Sequence, residues 1–338
     1  AVGYNSLYAV TTGGNNVAVG ASALDALTTG ADNIALGYNC LGGTDDGDRN
    51  IAIGSSSLNA NCDDDNIAIG RSALTAATGE DNIAIGSYAG DAMVAGHGVV
   101  LIGYNAGTAI NSSDAYRTVA VGFNAGAAIT EGQQNCVVGG KAGMYITDGD
   151  NNTCIGYGAG ADTGSNVGLI SGSSNTLVGA NCAPRLSGDA AGQEANNNTI
   201  VGAGAARGGH TTVVNNQGYA NVVIGRDAAG SLVGTSTAWA NYNSVFIGDR
   251  VANDAAAVSS SVIIGQYACS DGTNDVTGGS DCVFIGQAVR ASETTPANEI
   301  AIGKGAVAVA NNTAIIGNSS CTDVYMGDDG NAWSQVSD

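Results

Sequence analysis

Basic side chains are the scarcest chemistry in this chain. Ten Lys and Arg stand against thirty Asp and Glu, for a formal net charge of −20. The ten are scattered singly, so there is no positive footprint for a nucleic acid, and an anionic membrane surface would repel the chain. Aromatic residues make up only 5% of the sequence, too few for one bulky core of the kind a 338-residue chain would ordinarily build. Only two prolines are present, and Lys and Glu are sparse, which argues against long helices. No run of 18 or more apolar residues occurs, so no membrane span is expected. Two histidines, His97 and His210, lie in glycine-rich stretches with no nucleophile motif beside them. No Gly-x-Ser-x-Gly and no Cys-x-x-Cys occurs, so neither a hydrolase elbow nor a thiolate metal site is indicated. A non-enzymatic protein without metal or cofactor is the expectation. No signal peptide is visible, and Ala1 begins within a repeat, so a preceding segment is expected.

What the chain has instead is glycine, 53 residues of it, in a strict pattern. The stretch Asp81-Asn82-Ile83-Ala84-Ile85-Gly86 returns with variations eighteen times, its closing glycine falling at positions from Gly3 to Gly317. Asn stands four residues before that glycine in ten copies, three apolar β-formers follow it, and a small residue stands three after the glycine in all eighteen. The spacing between closing glycines is 16 to 19 residues up to Gly156, then 23 for four units to Gly248, then 17, 21, 17 and 14. The chain therefore divides into 1–155, a regular array of mostly 17-residue units; 156–248, the long units; 249–317, the terminal units; and 318–338, which leaves the pattern.

Each triplet is too short for a helix, and a glycine follows where the chain must bend. The pattern predicts two short strands per unit, one coil of a β-solenoid per unit, and parallel pairing between coils. Stacked Asn82-type residues can form hydrogen-bonded ladders along such a stack. In a half-buried strand apolar and polar residues alternate, yet Ile83-Ala84-Ile85 is apolar throughout, so both faces are expected to be covered. Ile83 and Ile85 should face one side and Ala84 the other. One face fills the coil; further copies of the chain are the simplest cover for the second. The middle position is Ala at 18, 35, 52, 68 and 84 and larger later, as in Leu177, Phe246 and Phe284, which predicts a fatter core toward the C-terminus.

The eight cysteines occupy apolar or small positions of the repeat, so they read as small buried hydrophobes; Cys269 and Cys282 share a unit and would be the first choice for a bridge. The carboxylate clusters Asp45-Asp46-Asp48, Asp63-Asp64-Asp65 and Asp148-Asp150 match neither the EF-hand nor the Ca²⁺-binding nonapeptide spacing and read as solvated turns. The long units hold an unusual share of bases and rings: Arg185, Arg207, His210, Tyr219, Arg226, Trp239 and Tyr242. Six extra residues in each of four neighbouring coils should form a lateral ridge, and rings beside polar groups suit contact with a glycan or protein receptor. Trp239 and Tyr242 could equally serve to cover a widened coil.

The motif Asn-(Ile/Val/Thr)-Ala-(Ile/Val)-Gly with a small residue three further on resembles the head repeat of the YadA-like trimeric autotransporter adhesins. The resemblance covers about 315 of the 338 residues, and it implies an all-β, left-handed parallel β-roll of about 18 coils in a homotrimeric fibre. The units of 17 and 23 residues are longer than the usual head repeat and resemble those of phage tail fibres. The stretch Ile316 to Gly327, followed by Asp329-Gly330-Asn331-Ala332-Trp333, resembles the segment that leads such fibres into an endosialidase-type intramolecular chaperone. That implies self-cleavage near Ser337-Asp338. Taken together, the resemblance implies a tail fibre shaft on a virion, serving as rigid spacer and host contact. The alternative is the head of a bacterial surface adhesin.

Overall fold

The computed structural model describes residues 1–111, 116–162, 167–168, 171–184, 195–207, 219–230, 242–254, 257–270, 272 and 275–321. They form an all-β parallel solenoid of about 15 turns, with no helix among the described residues. The chain falls into two compact units, Ala1–Asn196 and Asn197–Asp338. The first holds β1 (Val17–Val19), β2 (Ile34–Leu36), β3 (Ile51–Ile53), β4 (Ile67–Ile69), β5 (Ile83–Ile85), β6 (Val100–Ile102), β7 (Val119–Val121), β8 (Cys136–Val138) and β9 (Thr153–Ile155). A small antiparallel pair follows, β10 (Ala161–Asp162) and β11 (Val167–Gly168), and then β12 (Thr176–Val178). The second unit holds β13 (Thr199–Val201), β14 (Val222–Ile224), β15 (Val245–Ile247), β16 (Ala257–Ser259), β17 (Val262–Ile264), β18 (Gly278–Ser280), β19 (Val283–Ile285), β20 (Ile300–Ile302) and β21 (Ala314–Ile316).

Pairing is parallel and residue-for-residue between successive repeats: Ile67 lies beside Ile83, Ala68 beside Ala84, Ile69 beside Ile85. A three-residue strand cannot satisfy itself, so its backbone groups go to the neighbouring coils. Ile67 N–H donates to the Asn82 carbonyl at 2.8 Å and Gly86 N–H to the Ile69 carbonyl at 2.7 Å. The main ladder has one strand per coil, which corrects the expectation of two. After the glycine, the positions at two and four take left-handed backbone angles, as at Ser72 (φ 54°) and Leu74 (φ 51°), and two such turns leave no extended run. Within the described residues, a second parallel pairing of named strands forms between β16 and β18.

The closing glycine is required by its neighbours. A Cβ on Gly86 would stand 2.4 Å from the carbonyl oxygen of Gly103, and its φ is +138°. Inside the coil lie the middle strand residues, the small residue after the glycine, and the asparagines. Each buried Asn stitches two coils. The Asn33 side-chain oxygen accepts the Asn50 N–H at 2.8 Å, while its Nδ2 donates to the Gly47 carbonyl at 2.8 Å. Asn50, Asn66, Asn82, Asn135 and Asn152 repeat the arrangement. In the first unit the ladder lapses at Val99 and Thr118, where no Asn stands four before the closing glycine; in the second, Ser244, Ser261, Cys282, Glu299 and Thr313 take that place from Gly248 on.

The larger middle residues do go inward, but part of their volume is offset locally. Where the middle residue is Ala18, Ala35, Ala52 or Ala68, a fully buried Leu24, Leu41, Leu58 or Leu74 stands four after the glycine. Where it is Leu177, Ile200, Val223 or Phe246, that partner is Ala183, Ala206, Ala229 or Ala252. A third solution pairs Gly107, Gly126 and Gly143 with buried Ile110, Ile129 and Ile146, whose Cδ1 atoms would touch a Cβ on each glycine at 2.7–2.9 Å.

Candidate interaction surface

The outward side of each strand carries its first and third residues. Burial alternates as expected: Ala84 is fully buried, Ile83 half-buried and Ile85 exposed. Stacked coil on coil, these positions make two parallel columns of Val, Ile and Leu from β1 to β7, and Val17, Val19, Ile85, Ile102 and Ile155 are all substantially exposed. No charged residue occupies either column in any strand of the main ladder, in a chain of net charge −20. Large exposed apolar stripes of this kind mark interaction surfaces.

A third column borders the first two in the first unit. Immediately after the closing glycines stand Tyr104, Phe123 and Tyr157, each about half exposed. The rings of Tyr104 and Phe123 stack at 5.6 Å and 12°, and Tyr88 meets Tyr104 edge-on at 6.0 Å. The Arg71 guanidinium lies over the Tyr88 ring at 4.7 Å. Tyr157 leans over Gly140, where a Cβ would meet its ring at 3.4 Å. Sequence reasoning passed over this column, although aligning the copies on their glycines would have put Tyr104, Phe123 and Tyr157 in one file. In the second unit the same file holds Ala203 and then turns polar: Arg226, Asp249, Gln266, Gln287 and Lys304.

In comparisons with known families, curated proteins and solved structures, nothing matches this chain. The surface therefore has to be read from its own chemistry. Of the expected receptor residues, Tyr219 and Tyr242 come together, their rings stacked at 5.5 Å and 10° on adjacent coils. Arg226 lies at the other end of the strand, seven residues on from Tyr219, and is held in a two-point pair with Asp249 at 2.8 and 3.1 Å. That hydrogen-bonded guanidinium draws the Asp249 carboxyl below its ordinary value. Arg207 is exposed. Arg185, His210 and Trp239, together with Ser337 and Asp338, lie outside the described residues.

The carboxylate clusters do more than face solvent. Asp48 accepts the Ala31 N–H at 2.7 Å, Asp64 the Asp48 N–H at 2.8 Å and Asp150 the Gln133 N–H at 2.7 Å, each joining successive coils. Arg49 ties Asp64 and Asp65 at 2.9 and 2.7 Å, and its hydrogen bonds lower the Asp65 carboxyl. A side-chain hydrogen bond to the Asp45 carboxylate, followed by the charge of that carboxylate, raises Asp46. Among the described residues no group of three or more His, Cys, Asp and Glu is placed to hold a metal ion. No described helix is long and apolar enough to cross a membrane.

Six cysteines, Cys40, Cys62, Cys154, Cys182, Cys269 and Cys282, are buried as the repeat register predicts. Burial pushes the Cys40 and Cys62 thiols up to about 11 and Cys182 up to about 12, so none is a nucleophile at neutral pH. Cys282 keeps its thiol, which donates to the Ser280 carbonyl at 3.1 Å, so the suggested bridge to Cys269 is not formed.

Proposed function

We propose that this chain is the shaft of a homotrimeric extracellular fibre, in the manner of a phage tail fibre, acting as spacer and host-surface contact. The observation that carries the reading is the charge-free, partly exposed double column of Val, Ile and Leu on a strongly acidic chain. It supports a second copy as the occupant for two reasons. Like-charged copies can meet without repulsion only along such a stripe. And the surface that repeats at the same rise per coil, and so keeps contact along the whole stripe, is this surface itself. Three copies is the number that the resemblance of the repeat implies. Stacked Tyr219 and Tyr242 and exposed Arg207 belong, in this reading, to the host contact, and no turnover of glycan is expected.

Sedimentation equilibrium tests the assembly: the expected mass is three times the 33.0 kDa of one chain. A monomer at micromolar concentration would end the reading. Replacing Ile85 and Ile102 by Asp should dissociate the assembly while leaving the β-rich circular dichroism spectrum in place. Host contact is tested by cell binding of a Tyr219→Ala, Tyr242→Ala double variant, expected to fall at least several-fold; unchanged binding would remove these rings from the contact.

A further inference from the structure

A stripe that repeats coil after coil has a weakness: a neighbouring copy displaced by one coil meets almost the same surface. From β1 to β7 the first outward position reads Val17, Ile34, Ile51, Ile67, Ile83, Val100, Val119, and the third is equally aliphatic. Pairing that is apolar and uniform leaves register weakly specified. In β8, β9 and β12 the first outward position changes to Cys136, Thr153 and Thr176. These three are direct neighbours in one column, Cys136 beside Thr153 and Thr153 beside Thr176. All are half-buried, and the hydroxyls of Thr153 and Thr176 make no hydrogen bond within the described part of the chain. Intrachain packing does not call for hydroxyls here, since Val serves at this place in most other coils.

We propose that this polar window of the first unit, Cys136-Thr153-Thr176, sets the axial register between copies of the chain. The inference rests on the self-association proposed above. In register, hydroxyls of one copy face hydroxyls of another and pair with them. Each coil of displacement moves one more polar group at each end of the window against an aliphatic one, leaving it unpaired in a closed surface. A single polar position in an otherwise apolar seam is an established way to specify register.

Cys136 reports the register directly, because in-register copies bring their Cys136 side chains to the same level. A short bismaleimide joins two such thiols by addition of each sulfur across a maleimide double bond, with no oxidant required. The experiment uses the full chain with exposed Cys321 replaced by Ser, the buried thiols being protected. The expected result is efficient Cys136-to-Cys136 coupling on a denaturing gel, at least threefold reduced in a Thr153→Val, Thr176→Val variant whose sedimentation mass is unchanged. The corresponding Thr→Ser variant should retain coupling. An assembled Val variant that couples as well as the parent overturns the register inference alone. A monomeric parent overturns the self-association reading as well.

Discussion

At the scale of single residues, the buried asparagines hold the greatest leverage. Asn66 accepts the backbone N–H of Asn82 at 3.1 Å and donates to the Gly79 carbonyl at 2.9 Å, with no exposure to water. Asn66→Ala strands both backbone groups in a dry interior, at about 1–3 kcal/mol for each. A drop in the denaturant midpoint at unchanged slope is the expected readout. Asn66→Asp should be no rescue, because a carboxylate cannot donate to the Gly79 carbonyl. Gly86→Ala meets a different obstacle, a carbonyl 2.4 Å from the new methyl and a φ of +138°. Its expected cost is about 3 kcal/mol or more, read by the same titration. Thiols carry the pH response at high pH. Cys40, Cys62 and Cys182 have folded values raised from 9.0 to about 11 or 12, so their contribution is intact below pH 9 and is lost as pH rises toward those values. The thermal midpoint should fall between pH 9 and 11, and a Cys40→Ala, Cys62→Ala, Cys182→Ala variant should fall less steeply across that range.

At the scale of the coil, the interior behaves as a fixed volume shared by two positions. Leu74→Ala should open a cavity costing about 2–5 kcal/mol. Ala68→Leu alone should overpack by about 1–3 kcal/mol. Combined, they recreate the Leu177 and Ala183 arrangement, and the double variant should be at least about 1 kcal/mol better than additivity allows. A strictly additive double-mutant cycle would refute the sharing. The strand part of the coil was legible in the sequence, because a period of two and a flanking Asn and Gly leave Ile83-Ala84-Ile85 few alternatives. The inward turn of Ala84 and the Asn ladder followed from the same residues. The return half of the coil was not legible. Leu24, Leu41, Leu58 and Leu74 all adopt φ between 48 and 53°, a conformation that no propensity assigns to leucine, imposed by the stacking of one coil on the next. The aromatic file was missed for a related reason: Tyr104 and Phe123 are nineteen residues apart in sequence and neighbours only after coiling.

At the scale of the whole molecule, the ladder hydrogen bonds recur at the repeat spacing. The buried asparagines bond one coil ahead and one coil behind, 13 to 23 residues away, in both units. Removing residues 71–86, one complete coil, should therefore leave a folded protein whose remaining pairings keep their partners in kind. Removing half that length should break the register of everything beyond it, and limited proteolysis would separate the two outcomes. The glycine file described for Gly86 and Gly103 adds a consequence in time. A coil stacked so closely on its predecessor finds its mould already built, so folding within each unit is expected to proceed as growth from an existing end, with the first coil slow and each later one fast. On a ribosome, every newly emerged turn would have somewhere to dock almost as soon as it was made.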